Sequence, residues 1–183
     1  MNCVEIKPVP LMSSSMAKNS FEEELEACSD FADVFEVVKE SVEKTLKQSR
    51  AGLMLGLANL GGSPGFFFGA YYTLDSNMIV MNTYPLKRLS ETGQKLVKPY
   101  IFSILLHEYL HTLGYHAETE VRKMTHRICL ELLGNRHLAT QMAGDIQKFL
   151  PHLSYPNVGW FPKQEPEIFI VSGFDKGHLT YVS

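Results

Sequence analysis

Residues 99–114 read Pro99-Tyr100-Ile101-Phe102-Ser103-Ile104-Leu105-Leu106-His107-Glu108-Tyr109-Leu110-His111-Thr112-Leu113-Gly114, and the fold follows from what this stretch must be. Proline suits the first turn of a helix, where its missing N–H costs nothing, and glycine is a natural stop just past the end. Between them the apolar side chains cover nearly every direction around a helix axis, so the helix is expected to be buried. That burial makes His107, Glu108 and His111 the residues to explain. A buried polar group without a partner costs about 1–3 kcal/mol. Ordinary hydrogen bonds in the core would satisfy each one singly. Two histidines four apart, however, lie one turn from each other on one face. Imidazoles so placed can hold one Zn²⁺, with the glutamate beside the first positioned to act on a water.

The chain around this helix has 183 residues, 45% of them hydrophobic and 20% charged. That is ample for a core, and one domain over residues 1–183 is the simplest reading. The net charge of −3 gives no global reason to expect nucleic acid or an anionic membrane as partner. Cys3, Cys28 and Cys129 are odd in number and lack CxxC spacing, which fits a reducing compartment better than a disulfide framework. No basic stretch followed by an apolar run opens the chain, and no segment is long enough to span a bilayer. The expectation is a cytoplasmic protein.

Working outward, residues 1–20 carry two prolines and Ser13-Ser14-Ser15 and read as an irregular arm, with at most a short strand at Cys3–Ile6. Phe21 to about Gln48 reads as one amphipathic helix, with Leu25, Phe31, Val34, Phe35, Val38, Val42 and Leu46 at helical spacing. Ala51–Leu60 mixes glycine with Leu and Met. Gly61-Gly62-Ser63-Pro64-Gly65 is a loop that lacks the Lys-Ser/Thr of a phosphate cradle. Phe66–Thr73 and Met78–Asn82 read as a hairpin closed by Asp75-Ser76-Asn77. Leu86–Val97 is a polar helix or loop. After Gly114, a helix is expected from Glu118 to Leu133 with Gly134 ending it, and another over Ala139–Leu150 stopped by Pro151. Residues 154–183 are rich in proline, with strand candidates at Ile168–Val171 and His178–Val182.

A hydrolytic zinc site needs three protein ligands and one open position. The nearby candidates are His116, Glu118 and Glu120, with His126 and Glu131 further along. Periodicity mildly favours Glu118, the residue turned towards the apolar face; either glutamate could instead serve the helix N-terminus, or Glu118 could pair with Arg122 at i,i+4.

In this region the chain resembles the zincin metallopeptidases. His107, Glu108, His111 and Gly114 match the metzincin pattern HExxHxxGxxH, but its last histidine falls at Ala117. The gluzincin pattern is closer: HExxH, a chain reversal, then a glutamate near the start of a second helix. Glu118-Thr119-Glu120-Val121 is similar to the Glu-x-Glu-apolar opening of that helix in small intracellular zincins. The resemblance spans about residues 66–133 and sets the phase so that Glu120 is the third ligand.

The resemblance implies an α+β fold, a small, mostly antiparallel sheet packed on the HExxH helix with flanking helices. It implies one Zn²⁺ per chain held by His107, His111 and Glu120, with Glu108 taking the proton of the attacking water. It also implies a peptide or protein substrate paired along one of the strands at Phe66–Thr73 or Met78–Asn82. Tyr115, His116, His126, His178 and Tyr181 are candidates to stabilise the oxyanion. Two other readings compete, beside a weaker one in which the protein is a metal-free helical domain that chelator does not destabilise. One is a zinc-stabilised regulatory or binding protein with little turnover; the intact Glu108 argues against it. The other is a peptidase inhibited by its own C-terminal tail, with His178 or Asp175 near the metal.

Overall fold

The computed structural model describes residues 14–74 and 76–176. The strand candidates at Cys3–Ile6 and His178–Val182 lie outside the described residues, as do His178 and Tyr181. The α+β class holds: helices surround a small mixed sheet.

Two helices, α1 (Ser14–Ala27) and α2 (Phe31–Leu46), replace the single one expected over Phe21–Gln48. Helix also begins at Ser14, inside the expected irregular arm. The break between the two has a local cause. The Asp30 side chain accepts the Asp33 N–H at 2.8 Å, while the Asp33 carboxylate accepts the Ser29 N–H at 2.8 Å. Short polar side chains that bond the backbone in this way end one helix and start the next. The buried face of α2 carries Val34, Phe35, Val38 and Val42, as its spacing requires.

The sheet has the order β4-β5-β1-β6, built from β1 (Met54–Ala58), β4 (Ala70–Tyr72), β5 (Met78–Asn82) and β6 (Phe169–Val171). β4 and β5 form the expected antiparallel hairpin, with Ala70 opposite Met81. At the centre, however, β1 runs parallel to β5, with Met54 opposite Met78, so the sheet is mixed. β6 pairs antiparallel with β1. A central strand containing Gly56 is unusual because glycine packs nothing. Here a Cβ on Gly56 would lie 2.4 Å from Ile168 Cγ2, so the glycine admits the segment leading into β6.

The aromatic run 66–73 is likewise divided. A small hairpin of β2 (Gly62–Ser63) and β3 (Phe66–Phe67) precedes β4. Between β3 and β4 the buried Asn82 side chain donates to the carbonyls of Phe68 (2.7 Å) and Gly61 (2.8 Å). Its carbonyl oxygen accepts the N–H groups of Leu60 and Tyr84. One satisfied amide thereby pins the chain at Phe68–Gly69 over the helix beneath and starts α3 (Thr83–Thr92).

A 3-10 turn (Gln94–Leu96) leads into α4 (Val97–Thr112), the expected buried helix. Tyr100, Phe102, Leu105, Leu106, Tyr109 and Leu110 are all essentially inaccessible. Each such side chain contributes roughly 1.5–3 kcal/mol of burial. Gly114 ends the helix with φ +97°, a conformation that favours glycine. α5 (Glu118–Leu133) follows and ends at Gly134 as expected. α6 (Leu138–Gly144), a 3-10 turn (Ile146–Phe149) and α7 (Leu150–Leu153) replace the single helix expected over Ala139–Leu150. The Asp145 carboxylate accepts the Gln147 N–H at 3.1 Å and restarts the chain there. Pro151 sits in the opening turn of α7, where it is tolerated, and so stops nothing.

Beyond α7 the chain crosses to the far edge of the sheet. Phe174 stacks on Phe35 of α2 at 4.2 Å, and the Asp175 carboxylate accepts from Lys39 Nζ at 2.7 Å and from the Leu53 N–H at 3.1 Å. Asp175 is therefore held against α2. No described helix is long and apolar enough to cross a membrane.

Candidate metal centre

α4 places His107 and His111 one turn apart, with ring centroids 5.0 Å from each other. The chain reverses through Gly114 and returns in α5, whose first residue is Glu118. Its carboxylate reaches both histidines: Oε1 lies 3.3 Å from His107 Nε2, and Oε2 lies 3.3 Å from His111 Nε2. His107, His111 and Glu118 thus present one ligand atom each, all within 4.8 Å of one another.

The third residue here is Glu118, whereas the resemblance pointed to Glu120. The reason is helical phase. Val121, Thr125, Ile128, Cys129, Leu132 and Leu133 form the buried face of α5. On an ideal helix Glu118 lies within about 20° of the middle of that face, and Glu120 roughly 140° away from it. Glu120 is accordingly exposed, and the structure does not bring it to the histidines. His116 lines the same cleft but does not join the three-residue group.

Tautomers sharpen the geometry. His111 Nδ1 lies 2.7 Å from the Tyr115 carbonyl oxygen. A carbonyl only accepts, so Nδ1 carries the hydrogen, and in a neutral ring Nε2 is then the nitrogen with the lone pair. Nε2 faces a carboxylate oxygen at 3.3 Å. Two acceptors at this distance repel unless a cation or a second proton stands between them. A backbone carbonyl fixing the tautomer and tilt of a histidine is also how metal-binding imidazoles are oriented. The donor set of two imidazoles and a carboxylate fits a divalent ion such as Zn²⁺.

The charges agree with this. Burial holds the His107 imidazole below its ordinary value, although Glu118 pulls the other way. His107 is therefore neutral at pH 7, as a metal ligand must be. For Glu118, burial works upward but is outweighed by the Arg122 hydrogen bond (Nε to Oε1, 2.9 Å) and the Arg122 charge, so its carboxyl stays ionised. Glu108 goes the opposite way. It is 6% exposed, and burial, helped by the charge on Glu118, pushes its carboxyl up to about 8, with the Tyr72 backbone offsetting part of this. Two carboxylates whose environments drive them apart are a common basis for dividing ligand and acid–base roles.

All of these groups open onto a cleft of about 860 Å³. One wall is the segment from Phe66 to Tyr72, including β4, an edge strand of the sheet. α4 and α5 form the floor, and α6, the following turn and the start of α7 form the other side, through Met142, Ile146 and Leu150. Among the described residues after Leu150, none lines the cleft. Asp175, expected near the metal in the self-inhibition reading, is not brought there. Of the oxyanion candidates among the described residues, only His116 lines the cleft; the Tyr115 hydroxyl donates instead to Gln48 Oε1 at 3.0 Å, and the His126 ring packs against Gly144.

Sequence reasoning missed the Tyr115 carbonyl, which no side-chain pattern reveals, and the contribution of Tyr72. Arg122 was legible as the i,i+4 partner of Glu118. No family model, curated protein or solved structure matches the chain. The site therefore rests on its own geometry.

Proposed function

We propose that the protein is a zinc-dependent peptidase, with His107, His111 and Glu118 as metal ligands and Glu108 as general base. The observation that carries this reading is the one Glu118 carboxylate placed 3.3 Å from Nε2 of both His107 and His111, beside a buried glutamate that the ligand set itself does not use. A purely structural metal site has no need of Glu108, whose burial costs free energy.

A bound zinc ion would supply Lewis acidity to a substrate carbonyl and acidify a water. The chain's own residues do the rest. The Tyr115 carbonyl holds the His111 ring through Nδ1 and leaves Nε2 turned to the site, where neutral His107 also turns its Nε2. Glu118 supplies negative charge and is steadied by Arg122. Glu108, one residue after His107 on α4, takes a proton from the attacking water and returns it to the leaving amine. Its proton affinity, raised by burial, favours the return of that proton to the leaving amine; to take it, the carboxyl must first ionise, which a bound cation would favour. Edge strand β4 lines the cleft and can pair with an extended peptide.

The test is metal content after purification without chelator, followed by assay against a mixed peptide library. Near one zinc per chain is expected in the wild type and in Glu108→Gln and Glu120→Ala, and loss in His107→Ala. Peptide cleavage is expected in the wild type and Glu120→Ala, and not in Glu108→Gln. A wild type that takes up no added zinc would sink the reading. Zinc bound by a chain that cleaves nothing would favour the regulatory alternative.

A further inference from the structure

Arg50, in the loop that follows α2, is tied to the candidate site from both of its ends. Its backbone is clasped by Tyr109, the residue next to Glu108: the Arg50 N–H donates to the Tyr109 hydroxyl at 2.7 Å, and that hydroxyl donates to the Arg50 carbonyl at 3.1 Å. Its guanidinium then spreads over two other elements. Nη1 donates to the Thr112 carbonyl at the end of α4 (2.6 Å) and to the Tyr72 hydroxyl of β4 (3.0 Å). Nη2 donates to Asn77 Oδ1 in the turn before β5 (2.8 Å). Two residues earlier, Gln48 accepts from the Tyr115 hydroxyl.

The groups on the receiving end are those on which the site depends. Thr112 follows His111 directly, and the reversal after it supplies the Tyr115 carbonyl that orients His111 and leads to Glu118. Tyr72 is the strand residue whose backbone touches Glu108. The last carbonyls of a helix lack intrahelical partners, and here a planar fork meets one of them together with the strand and the turn. Only a guanidinium offers several donors in a fixed plane; an ammonium acts as a point charge.

From this geometry we infer that Arg50 is a positioning residue, clamping the end of α4 to strand β4 so that the histidine pair, Glu118 and Glu108 are assembled before any ligand arrives. The inference rests on the metal reading above for its functional meaning, although the clamp can be tested without metal.

The experiment compares wild type with Arg50→Lys, and with Tyr72→Phe as a gentler variant that removes only the hydroxyl. Two readouts are needed: amide hydrogen exchange by NMR, and zinc affinity by chelator competition. Arg50→Lys is expected to speed exchange at Leu113, Gly114 and Tyr115 about tenfold or more, leave Phe102–Leu106 unchanged, and weaken zinc binding about tenfold, the low end for outer-shell partners. Tyr72→Phe should move both in the same direction by less. Unchanged exchange at the α4 end, or exchange raised uniformly along α4, overturns the clamp. Local loosening with unchanged zinc affinity overturns its positioning role. In a wild type that takes up no zinc, the exchange data alone decide whether the clamp exists, and the metal reading fails separately.

Discussion

α4 and α5 are each 16 residues long and contribute to the same site, yet they hold their functional groups in opposite ways. α4 is apolar nearly all round and buried from Pro99 to Thr112, with the His107 and His111 faces open to the cleft. α5 buries one face and presents its first turn to solvent, so that the Glu118 side chain is 53% exposed. The glutamates show the consequence. Burial pushes Glu108 up; hydrogen bonding from Arg122 helps hold Glu118 down despite its partial burial. One residue type takes two chemical states because one helix surrounds it with side chains and the other leaves it partly in water. The α4 groups should therefore be intolerant of change, and the α5 groups adjustable.

That contrast can be broken most directly at the histidines. His107→Ala or His111→Ala should weaken zinc binding at least a thousandfold, on the order of 4 kcal/mol. The check is chelator competition on protein shown by circular dichroism to be folded. A loss under tenfold would mean that α4 is not the anchor.

Next comes the pH dependence of the metal-free protein. Below about pH 4.5 Glu108 is neutral in the folded and unfolded chain alike. As pH rises, the unfolded chain ionises first, while the folded one keeps its proton until near 8. Stability therefore falls between about pH 4.5 and 8 and levels off above, by roughly 2–4 kcal/mol. Urea titrations should show this fall in wild type and a flatter profile in Glu108→Gln; parallel profiles would mean that α4 does not desolvate the carboxyl.

Smaller effects belong to α5. Glu118→Gln keeps one oxygen but loses the charge, and zinc affinity should drop roughly tenfold to a hundredfold, or about 1.4–2.8 kcal/mol. Glu120→Gln should leave affinity unchanged within error, and a reversal of these two would restore Glu120 as the ligand. The smallest change is expected from Arg122→Gln. An exposed i,i+4 pair is worth about 0.3–0.5 kcal/mol, so affinity should move by less than about threefold.

The parts legible in the sequence were those set by local chemistry. α4 and α5 declared themselves through apolar spacing, and Gly114 and Gly134 marked their ends. The same periodicity favoured Glu118 over Glu120, and the packed helix agrees with periodicity. What stayed hidden depended on distant partners. β1 did not read as a strand because Gly56 is there for the approach of Ile168, more than a hundred residues away in the chain. The division of the aromatic run at Phe68–Gly69 depends on Asn82. The breaks at Asp30 and Asp145 were local and readable in principle, since each aspartate caps the helical turn that follows it. They were masked by apolar spacing that continued across them.

The sequence by itself determined that two imidazoles and a carboxylate would share one buried helix, because a period of 3.6 residues leaves His107, Glu108 and His111 no other arrangement once that helix forms. Tertiary structure decided what those groups meet. The reversal at Gly114 brings Glu118 across the histidine pair, the Tyr115 carbonyl selects the His111 tautomer, and Arg50 ties the end of α4 to the strand at the cleft. These contacts depend on how separate elements pack, and the spacing of residues along one element carries no record of its neighbour.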